Sequence, residues 1–347
     1  MPDLSVRTLR RDEREAVLEL LDAWPLGGPL RGRAFFRRYI EHDPTYRDEN
    51  FHVAEDAGRL VACVQVFPRL MRVRGAAVPV GGIGSVFTSE AARGSGVASA
   101  LLEAAVEDMR ARGMLLSLLF AARHAFYARL GWVLWPRSRE LWLRGEAARR
   151  VDLAEPFDVE RDLDAVIALH ERASAGLDGT VLRDPAYWRA QLAFAGNPGE
   201  DFLVARDAAG HIHAYARGCL LDGIYMVTEI GRSDGAEAAH ALADLVLALM
   251  APRDPDAIAM QASLASDACR RLLVAPAHDD ALLCAAIEAR GVSVKRFEER
   301  ATMLRMIDAA GLARCTGVPQ LANETDAAYL ARLIPPERFF YWPSDRF

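Results

Sequence analysis

The chain has 347 residues, of which 52% are hydrophobic and 26% charged, and its formal net charge at pH 7 is −6. This composition is typical of a soluble globular protein, and the length predicts two or three domains. Because no apolar run approaches the ~20 residues that span a bilayer and the N-terminus lacks the apolar region of a signal peptide, we expect a cytoplasmic protein without a membrane partner.

Cysteine spacing and charge distribution narrow the class of protein further. The five cysteines are scattered and never occur in C-x-x-C spacing, which argues against a disulfide framework and a zinc site, so no metal is assigned. Residues 1–150 contain 23 Arg against 18 Asp and Glu, whereas residues 151–347 contain 19 Arg and Lys against 30 Asp and Glu. A basic half suits an anionic cofactor and an acidic half a cationic substrate, but solvated surface explains the split equally well. No basic run with interleaved aromatic residues indicates a nucleic-acid partner.

Periodicity and turn residues predict a strand, two helices and then a series of strands at the start of the chain. The second helix carries Phe35, Phe36 and Tyr39, an aromatic set that fits either a core or the wall of a pocket. The predicted elements are strands over 5–10, 51–55, 60–67, 70–74 and 77–88, and helices over 12–24 and 33–41.

A glycine-rich turn, Arg93-Gly94-Ser95-Gly96-Val97-Ala98, follows the last of these strands. After it the pattern predicts an amphipathic helix over 96–112 and a buried apolar strand over 115–120. Glycines let the backbone approach a ligand without Cβ clashes, and the free amides of a helix N-terminus attract negative charge. The sequence therefore predicts a phosphate-binding turn.

Two other phosphate-binding motifs are not supported. The chain contains no G-x-x-x-x-G-K-[ST] motif, so it is not a P-loop NTPase. Gly81-Gly82-Ile83-Gly84 precedes the end of its strand instead of following it, which argues against a dinucleotide-binding fingerprint.

The turn and a second motif together resemble one enzyme superfamily. Arg93-x-x-Gly96-x-Ala98 matches the Arg/Gln-x-x-Gly-x-Gly/Ala signature of the GCN5-related N-acetyltransferases (GNAT). The segment 126–132, Phe-Tyr-Ala-Arg-Leu-Gly-Trp, resembles the F-Y-x-x-x-G-F segment that lies about thirty residues downstream in that superfamily. The resemblance implies a mixed sheet flanked by helices, acetyl-CoA as co-substrate, and transfer of an acetyl group to a primary amine.

Residues 150–300 partly repeat the order of elements found in the first 150. Helices are predicted over 162–173, 185–192 and 236–250, with strands over 202–206, 211–219, 224–230, 257–261 and 301–306. At the turn equivalent to Arg93–Ala98, only the Arg-x-x-Gly spacing survives. Asp234 and Glu237 bring negative charge to the place where phosphates would lie, so we expect no CoA there.

The predicted fold class is therefore α/β (α+β), with tandem GNAT-like mixed sheets flanked by helices and a short C-terminal segment. A catalytic domain over 1–148, a degenerate second domain over 149–307 and a C-terminal segment over 308–347 resemble the enhanced intracellular survival (Eis) acetyltransferases. In that family a longer, sterol-carrier-like third domain follows, so 308–347 is predicted to be a shortened version of it or a tail. The resemblance also favours a homo-oligomer.

The resemblance assigns the cofactor contacts to three groups of residues. Backbone amides around the end of the strand would bind the thioester carbonyl and pantetheine, the glycine-rich turn would hold the pyrophosphate, and two further residues would lie near the CoA arm. These residues are Val86, Phe87 and Thr88; Arg93, Gly94, Ser95, Gly96, Val97 and Ala98; and Ala122 and Arg123.

Acid and base candidates complete the predicted site. Tyr127 is the candidate general acid, since a phenol stays protonated at neutral pH, and its alternative role is packing beside Phe126. For the base, the carboxylate of Phe347 ranks first by the resemblance, followed by Glu90 or Glu229 acting through water. His124 fits a structural histidine better than a base, and the His211-x-His213 pair lacks a third metal ligand.

Several functions remain open at this point. The first is an amine N-acetyltransferase whose acceptor is a small molecule or peptide: the Eis resemblance suggests an aminoglycoside, a polyamine or a lysine side chain. The second uses a different acyl or aminoacyl donor. The third is a non-catalytic acyl-CoA-binding or sensing protein.

Overall fold

The computed structural model describes residues 5–24, 32–135, 137–144, 154–194, 200–221, 224–250, 271–274 and 280–347. Within these residues it contains two seven-stranded sheets with helices packed on their faces, the mixed α/β architecture that the sequence predicts. The predicted strand over 257–261 lies outside the described residues.

The first half of the chain follows the predicted order, except that one continuous strand replaces two shorter ones over 60–74. The elements are β1 (Ser5–Thr8), α1 (Arg14–Asp22), α2 (Gly32–His42), β2 (Phe51–Asp56), β3 (Arg59–Val73), β4 (Ala76–Thr88), α3 (Val97–Ala111), β5 (Leu116–Phe120), α4 (His124–Ala128), β6 (Val133–Leu134) and β7 (Arg137–Arg144).

The second half repeats this order and then adds two helices. Its elements are β8 (Glu155–Pro156), α5 (Val159–Ser174), α6 (Pro185–Phe194), β9 (Asp201–Arg206), β10 (Ile212–Leu221), β11 (Ile224–Arg232), α7 (Ala236–Met250), β12 (Arg271–Val274), α8 (Ala281–Glu288), β13 (Ser293–Glu299), β14 (Thr302–Met306), α9 (Ala309–Thr316) and α10 (Asp326–Leu333).

The first sheet has the strand order β1-β2-β3-β4-β5-β14-β6. Strands β1 to β4 pair antiparallel with their neighbours, and β5 then runs parallel to β4. The parallel pair requires a crossover, which α3 supplies by packing its apolar side, including Leu101 and Val106, against the sheet. The helix that the sequence predicts after the glycine-rich turn is confirmed.

The second sheet has the order β13-β7-β12-β11-β10-β9-β8 and repeats the central pairing of the first. Strands β9, β10 and β11 are antiparallel, and β12 runs parallel to β11 after the crossover helix α7. The same order of pairing in both sheets agrees with the internal duplication that the sequence indicates.

The two sheets exchange strands, and here two predicted assignments are wrong. The first domain is predicted to extend to residue 148, but β7, which lies before that boundary, pairs with β12 and β13 in the second sheet. The strand at 301–306 is predicted to complete the second sheet, but β14 pairs with β5 and β6 in the first. Local patterns identify a strand but not its partner, which is set by core packing far along the chain. The boundaries at 148 and 307 stay a prediction.

The aromatic C-terminal tail, residues 335–347, lies between the two sheets. Phe339 and Tyr341 join the core that includes residues of the first sheet, whereas Phe340 and Trp342 join the core of the second. All four side chains are at most 1% exposed. The tail therefore packs into the protein and connects both sheets.

Candidate active site

The central feature of the first sheet is a cleft between the ends of β4 and β5. The two strands pair from Val80 opposite Leu116 to Ile83 opposite Leu119, and no further pair between them occurs in the described chain. Beyond this point β4 continues to Thr88 and β5 to Phe120. The edge of β4 that faces β5 is therefore open over residues 84–88. We call this space the β4–β5 cleft.

A β-bulge in β4 lies at the cleft. Its register with β3 shifts between Gln65, which is opposite Gly84, and Cys63, which is opposite Phe87. Ser85 takes up the extra residue with a positive φ of 50°, and its hydroxyl donates to the Oε1 atom of Gln65 at 3.0 Å. Bulges re-aim backbone groups next to binding sites. The backbone of Val86, Phe87 and Thr88 is thus placed along the open edge.

The glycine-rich turn, Arg93–Ala98, follows β4 and leads into α3. Gly94 and Gly96 have φ angles of 80° and 86°, and a Cβ atom at either position would meet nothing within 4 Å. Glycine is therefore required for the backbone angle and not for space. No side chain caps α3, and among the described residues the amides of Gly94, Gly96 and Ala98 have no hydrogen-bond acceptor. These amides suit an anion.

Side chains in the turn leave this anion site open. The Oγ atom of Ser95 donates to the carbonyl oxygen of Ala92 at 2.7 Å, which fixes the turn from within, and the amide of Val97 donates weakly to the same Oγ atom at 3.4 Å. The exposed Arg93 contacts the carbonyl oxygen of Thr88 through Nε at 3.4 Å. Its guanidinium adds a positive charge at the rim of the turn.

Tyr127 lies on the short helix α4, after the end of β5. Its ring packs edge-on against Phe126, with centroids 5.0 Å apart, and against Trp132 at 6.2 Å. Burial raises the pKa of Tyr127 above its ordinary value and outweighs the opposing effect of Arg123. Within the described residues its hydroxyl group has no hydrogen-bond partner. The phenol therefore stays protonated and has a proton to donate.

The remaining residues of this segment lie around the start of α4. Ala122 and Arg123 are exposed immediately after β5, and Arg123 is the N-terminal cap residue of α4. The Nε2 atom of His124 is buried without a hydrogen-bond partner among the described residues. Glu90, the exposed base candidate, lies in a short 3-10 turn before Arg93.

Phe347 lies at the closed end of the cleft, on the face of the sheet opposite α3. Its ring stacks on Phe67 with centroids 4.9 Å apart and an interplanar angle of 18°. It also lies 5.7 Å from the ring of Phe120, the last residue of β5. The structure thus brings Phe347 to the cleft, while Tyr127 packs with the core under α3 on the other face.

A buried ionic cluster holds the tail that carries Phe347. Arg183 donates to both oxygens of Asp345, at 2.9 and 2.7 Å, and to both oxygens of Glu229, at 3.2 and 2.9 Å. All three side chains are fully buried. Ser344 donates to Glu229 and accepts from Arg183. The sequence did not single out Arg183 and Asp345, because they are 162 positions apart and each stands beside another charged residue in a short segment.

Glu229 therefore belongs to this cluster and is unsuitable as a base. It also accepts from the hydroxyl group of Tyr215 at 2.8 Å and contacts Nδ1 of His170 at 3.1 Å. Burial raises its pKa, but Arg183 and His170 outweigh burial and hold the pKa well below its usual value. Its fully buried carboxylate already accepts hydrogen bonds at both oxygens, which argues against the prediction that Glu229 acts as a base through water.

Aromatic side chains from α2 and from the residues after α1 pack near the end of β4. Trp24 lies 5.9 Å from Phe87 and 5.6 Å from Phe36 between ring centroids. Phe36 and Tyr39 are buried, whereas Trp24 and Phe35 are only half-buried. Most of the predicted aromatic set is thus core, and Trp24, Phe35 and Phe87 keep a partly exposed surface.

Two further sequence features lie away from the cleft. His211 is exposed and contacts Asp207 at 3.6 Å, and His213 is half-buried on β10. In the described part of the chain, no group of three or more His, Cys, Asp or Glu side chains is arranged to hold a metal ion. Nor does any described helix combine the length and apolarity that crossing a bilayer requires.

Comparison with known families decides the class of the first domain. A family model described as an acetyltransferase (GNAT) domain matches residues 5–134. Residues 5–134 form a GNAT acetyltransferase domain. The match covers the cleft, the bulge, the glycine-rich turn and Tyr127, and it identifies the protein as an acyltransferase. No curated protein matches the chain by sequence.

Solved structures of the same fold extend over both sheets. A GCN5-related N-acetyltransferase from Kribbella flavida has a TM-score of 0.62 and 20% identity, covering 90% of this chain and 74% of that one. N-myristoyltransferase from Saccharomyces cerevisiae with bound myristoyl-CoA has a TM-score of 0.59 and 13% identity, covering 88% of this chain and 79% of that one. Eis1 from Mycobacterium abscessus has a TM-score of 0.57 and 18% identity, covering 96% of this chain and 81% of that one. At these identities the likeness concerns the fold.

Proposed function

We propose that the protein transfers an acetyl group from acetyl-CoA to the primary amine of a small molecule or peptide, within a ternary complex. The observation that carries this proposal is the open β4–β5 cleft, which is followed in the chain by a turn in which three amides lack acceptors among the described residues. The turn suits the pyrophosphate of CoA, and the open edge of β4 suits its pantetheine arm.

Binding uses backbone groups and one cation. The turn from Gly94 to Ala98 would hold the pyrophosphate at the N-terminus of α3, chiefly through the amides of Gly94, Gly96 and Ala98, with Arg93 beside it. The thioester carbonyl accepts a hydrogen bond from the backbone around Val86, Phe87 and Thr88. Ala122 and Arg123, at the end of β5, lie on the other side of the CoA arm.

The reaction is a direct attack of the amine on the thioester. The new C–N bond forms, the carbonyl oxygen gains negative charge, and the backbone amides of β4 stabilise this oxyanion by a few kcal/mol. The C–S bond then breaks and the thiolate leaves. Tyr127 donates its proton to the departing sulfur, which its raised pKa allows over the neutral range.

The amine must lose a proton before it attacks. An alkylammonium with a pKa of ~10 is only about one part in a thousand neutral at pH 7, so a base accelerates the reaction. We propose that the main-chain carboxyl group of Phe347 in this chain is that base. The Phe347 carbonyl oxygen lies 3.4 Å from the position of a Cβ atom at Gly84, at the cleft.

The base assignment has a direct test. Two residues, Gly-Ser, appended after Phe347 convert the carboxylate into a neutral amide and are expected to reduce kcat by ~10²-fold or more. Acetyl-CoA affinity serves as the control and should change little, because the turn is untouched. Full activity of the extended protein would remove Phe347 from the base role.

The proposed acceptors are an aminoglycoside, a polyamine or a lysine side chain. The test is thermal unfolding with and without acetyl-CoA, followed by release of the CoA thiol against a panel of these amines. A ligand at 100 times its Kd stabilises the folded state by ~2.7 kcal/mol, which raises Tm by several degrees. An unchanged Tm at saturating acetyl-CoA would refute cofactor binding. Stabilisation without thiol release from any amine would refute the proposed acceptor class.

A further inference from the structure

The run Gly81-Gly82-Ile83-Gly84 on β4 lies at the closed end of the β4–β5 cleft, where pairing with β5 stops. A Cβ atom at Gly82 would overlap the ring of Phe347. A Cβ atom at Gly84 would lie 2.9 Å from Cε2 of Phe67 and 3.3 Å from Cδ2 of Phe347. These glycines therefore provide room for an aromatic ring against the backbone.

The Phe347 ring reaches from β4 towards β5. Phe67 stacks on it, Phe120 at the end of β5 lies 5.7 Å away, and Tyr341 meets it edge-on at 6.2 Å. Four aromatic rings thus cover one face of the sheet at the closed end of the cleft. An alkyl chain directed to this face would have to displace one of them.

The opposite face of β4 is filled as well. A Cβ atom at Gly81 would overlap Met109 of α3 and lie 2.9 Å from Sδ of Met114. Met109 is completely buried and Met114 is 5% exposed. Close packing therefore continues on both sides of the strand where the cleft ends, and the space for an acyl chain is short.

The ring is held in place and is not a loose flap. Asp345, two residues before Phe347, is bound by Arg183, and both side chains are fully buried. The hydroxyl group of Tyr341 donates to the carbonyl oxygen of Asp345 at 3.1 Å. Truncating one partner of such a buried pair is strongly unfavourable, so moving the ring away from β4 requires disrupting the tail.

We propose that the Phe347 ring determines acyl-chain length and restricts the protein to short acyl-CoA thioesters, acetyl and propionyl. The inference rests on the proposed function, because that function places the thioester on β4 at residues 86–88. It assigns a specificity-determining role to the side chain of Phe347, separate from the proposed role of its carboxyl group. The fold-related N-myristoyltransferase has been solved with a myristoyl-CoA thioester, so the fold itself does not impose the limit.

The first experiment measures binding of a series of acyl-CoA thioesters, from acetyl to hexanoyl, by titration calorimetry without any amine. One methylene too many in a closed apolar pocket costs about 10-fold or more in discrimination. We expect hexanoyl-CoA to bind at least ~10-fold more weakly than acetyl-CoA. Equal affinities across the series would overturn the inference and leave the proposed function intact, whereas no binding of any thioester would overturn both.

Variants of Phe347 then test the residue itself. Phe347→Ala removes the ring, and hexanoyl-CoA should bind within ~3-fold of acetyl-CoA while acetyl-CoA affinity is retained. Phe347→Leu keeps apolar packing and should give an intermediate profile if the alanine variant unfolds, as judged by Tm. A chain-length profile identical to that of the wild type in both variants would refute the proposal.

A matched pair of glycine variants provides a control that leaves Phe347 unchanged. In Gly82→Ala the new methyl group pushes the ring into the acyl space, so even acetyl-CoA should bind ~10-fold more weakly. In Gly81→Ala the same methyl group points to the other face, towards Met109 and Met114 and away from Phe347. That variant should keep the wild-type dependence of affinity on acyl-chain length. Equal effects of the two substitutions would show that strand damage, and not the ring, is responsible.

Discussion

The two sheets contain the same bulge and the same diverging strands, yet they use them differently. In the first sheet, β4 bulges at Ser85 and the cleft leads to an uncapped turn with two positive-φ glycines. In the second, β11 shifts register against β10 between Arg217 and Gly218, and the pairing with β12 ends at Val227 in the described chain. Glu229 follows this bulge, and the C-terminal tail contacts it. One site stays open for a ligand, and the other is closed by the protein itself.

The bulge region of the second sheet holds the tail that reaches the β4–β5 cleft of the first. Ser344 and Asp345 of the tail occupy the second sheet's bulge region through Arg183 and Glu229, and Phe347 then reaches the first sheet's cleft. The bulge region of the second sheet thus anchors the segment that carries Phe347 to the β4–β5 cleft. The turn equivalent to Arg93–Ala98 agrees, because Arg232 there is paired with the Asp280 carboxylate at 2.6 Å and is not free to bind a ligand phosphate.

The largest effect is expected from a substitution that removes the proposed general acid, which only the first sheet's site contains. Tyr127→Phe should lower kcat by ~10²–10⁴-fold, the usual contribution of a general acid, and change the Kd of acetyl-CoA by less than about 3-fold. Steady-state kinetics and calorimetry measure the two quantities. Tyr329→Phe is the control: it removes a hydrogen bond of 2.6 Å to the carbonyl oxygen of Val318, which is not part of the proposed site, and should leave kcat unchanged. Unaltered turnover in Tyr127→Phe would assign Tyr127 a packing role.

The next prediction concerns the buried ionic cluster that holds the C-terminal tail. Arg183→Met leaves Glu229 and Asp345 buried without their cation and should reduce the free energy of unfolding by about 3–5 kcal/mol. Urea unfolding measures it. The control is Arg172→Ala, which breaks an exposed pair with Asp234 at 3.0 Å and should cost less than about 1 kcal/mol. Similar losses in the two variants would show that the buried cluster does not fix the tail.

The same cluster predicts how stability depends on pH. Arg183 and His170 outweigh the effect of burial and keep the pKa of Glu229 below its ordinary value of 4.5 in the folded state. Its contribution is therefore complete above that value and is lost as the pH falls through the folded-state pKa. We expect Glu229→Gln to flatten the acid side of a stability profile measured between pH 3 and pH 7. An unchanged profile would contradict this assignment.

The smallest loss of stability is expected from a pair of glycine substitutions, one in each of the two equivalent turns. Gly96 precedes α3 with φ 86°, Gly235 precedes α7 with φ 96°, and both positions face open space. Alanine at either position should cost about 1–2 kcal/mol of stability from the left-handed backbone. Only Gly96→Ala should also weaken acetyl-CoA binding, by ~10-fold, because Asp234 and Glu237 bring negative charge to the second turn and disfavour phosphate there. Equal losses of acetyl-CoA affinity in the two variants would mean that the two turns do not differ in their contribution to binding.

The sequence predicts the local parts of this site and misses the distant ones. The glycine-rich turn, α3 and the Phe126-Tyr127 helix follow from residues within a few positions of each other. The exchange of β7 and β14 does not, because strand partners depend on which core each strand joins. Arg183 and Asp345 are 162 positions apart, and Phe347 meets Gly82 across nearly the whole chain. Sequence patterns do not encode such pairs, although the run Gly81-Gly82-Ile83-Gly84 marks the place.

The measurement that tests the central claim most directly is the stoichiometry of acetyl-CoA binding, obtained by titration calorimetry on the wild type and on Gly96→Ala and Gly235→Ala. The account predicts one acetyl-CoA per chain, with the affinity weakened by Gly96→Ala and retained by Gly235→Ala. Two acetyl-CoA molecules per chain, or one whose binding depends on Gly235 and not on Gly96, would contradict it.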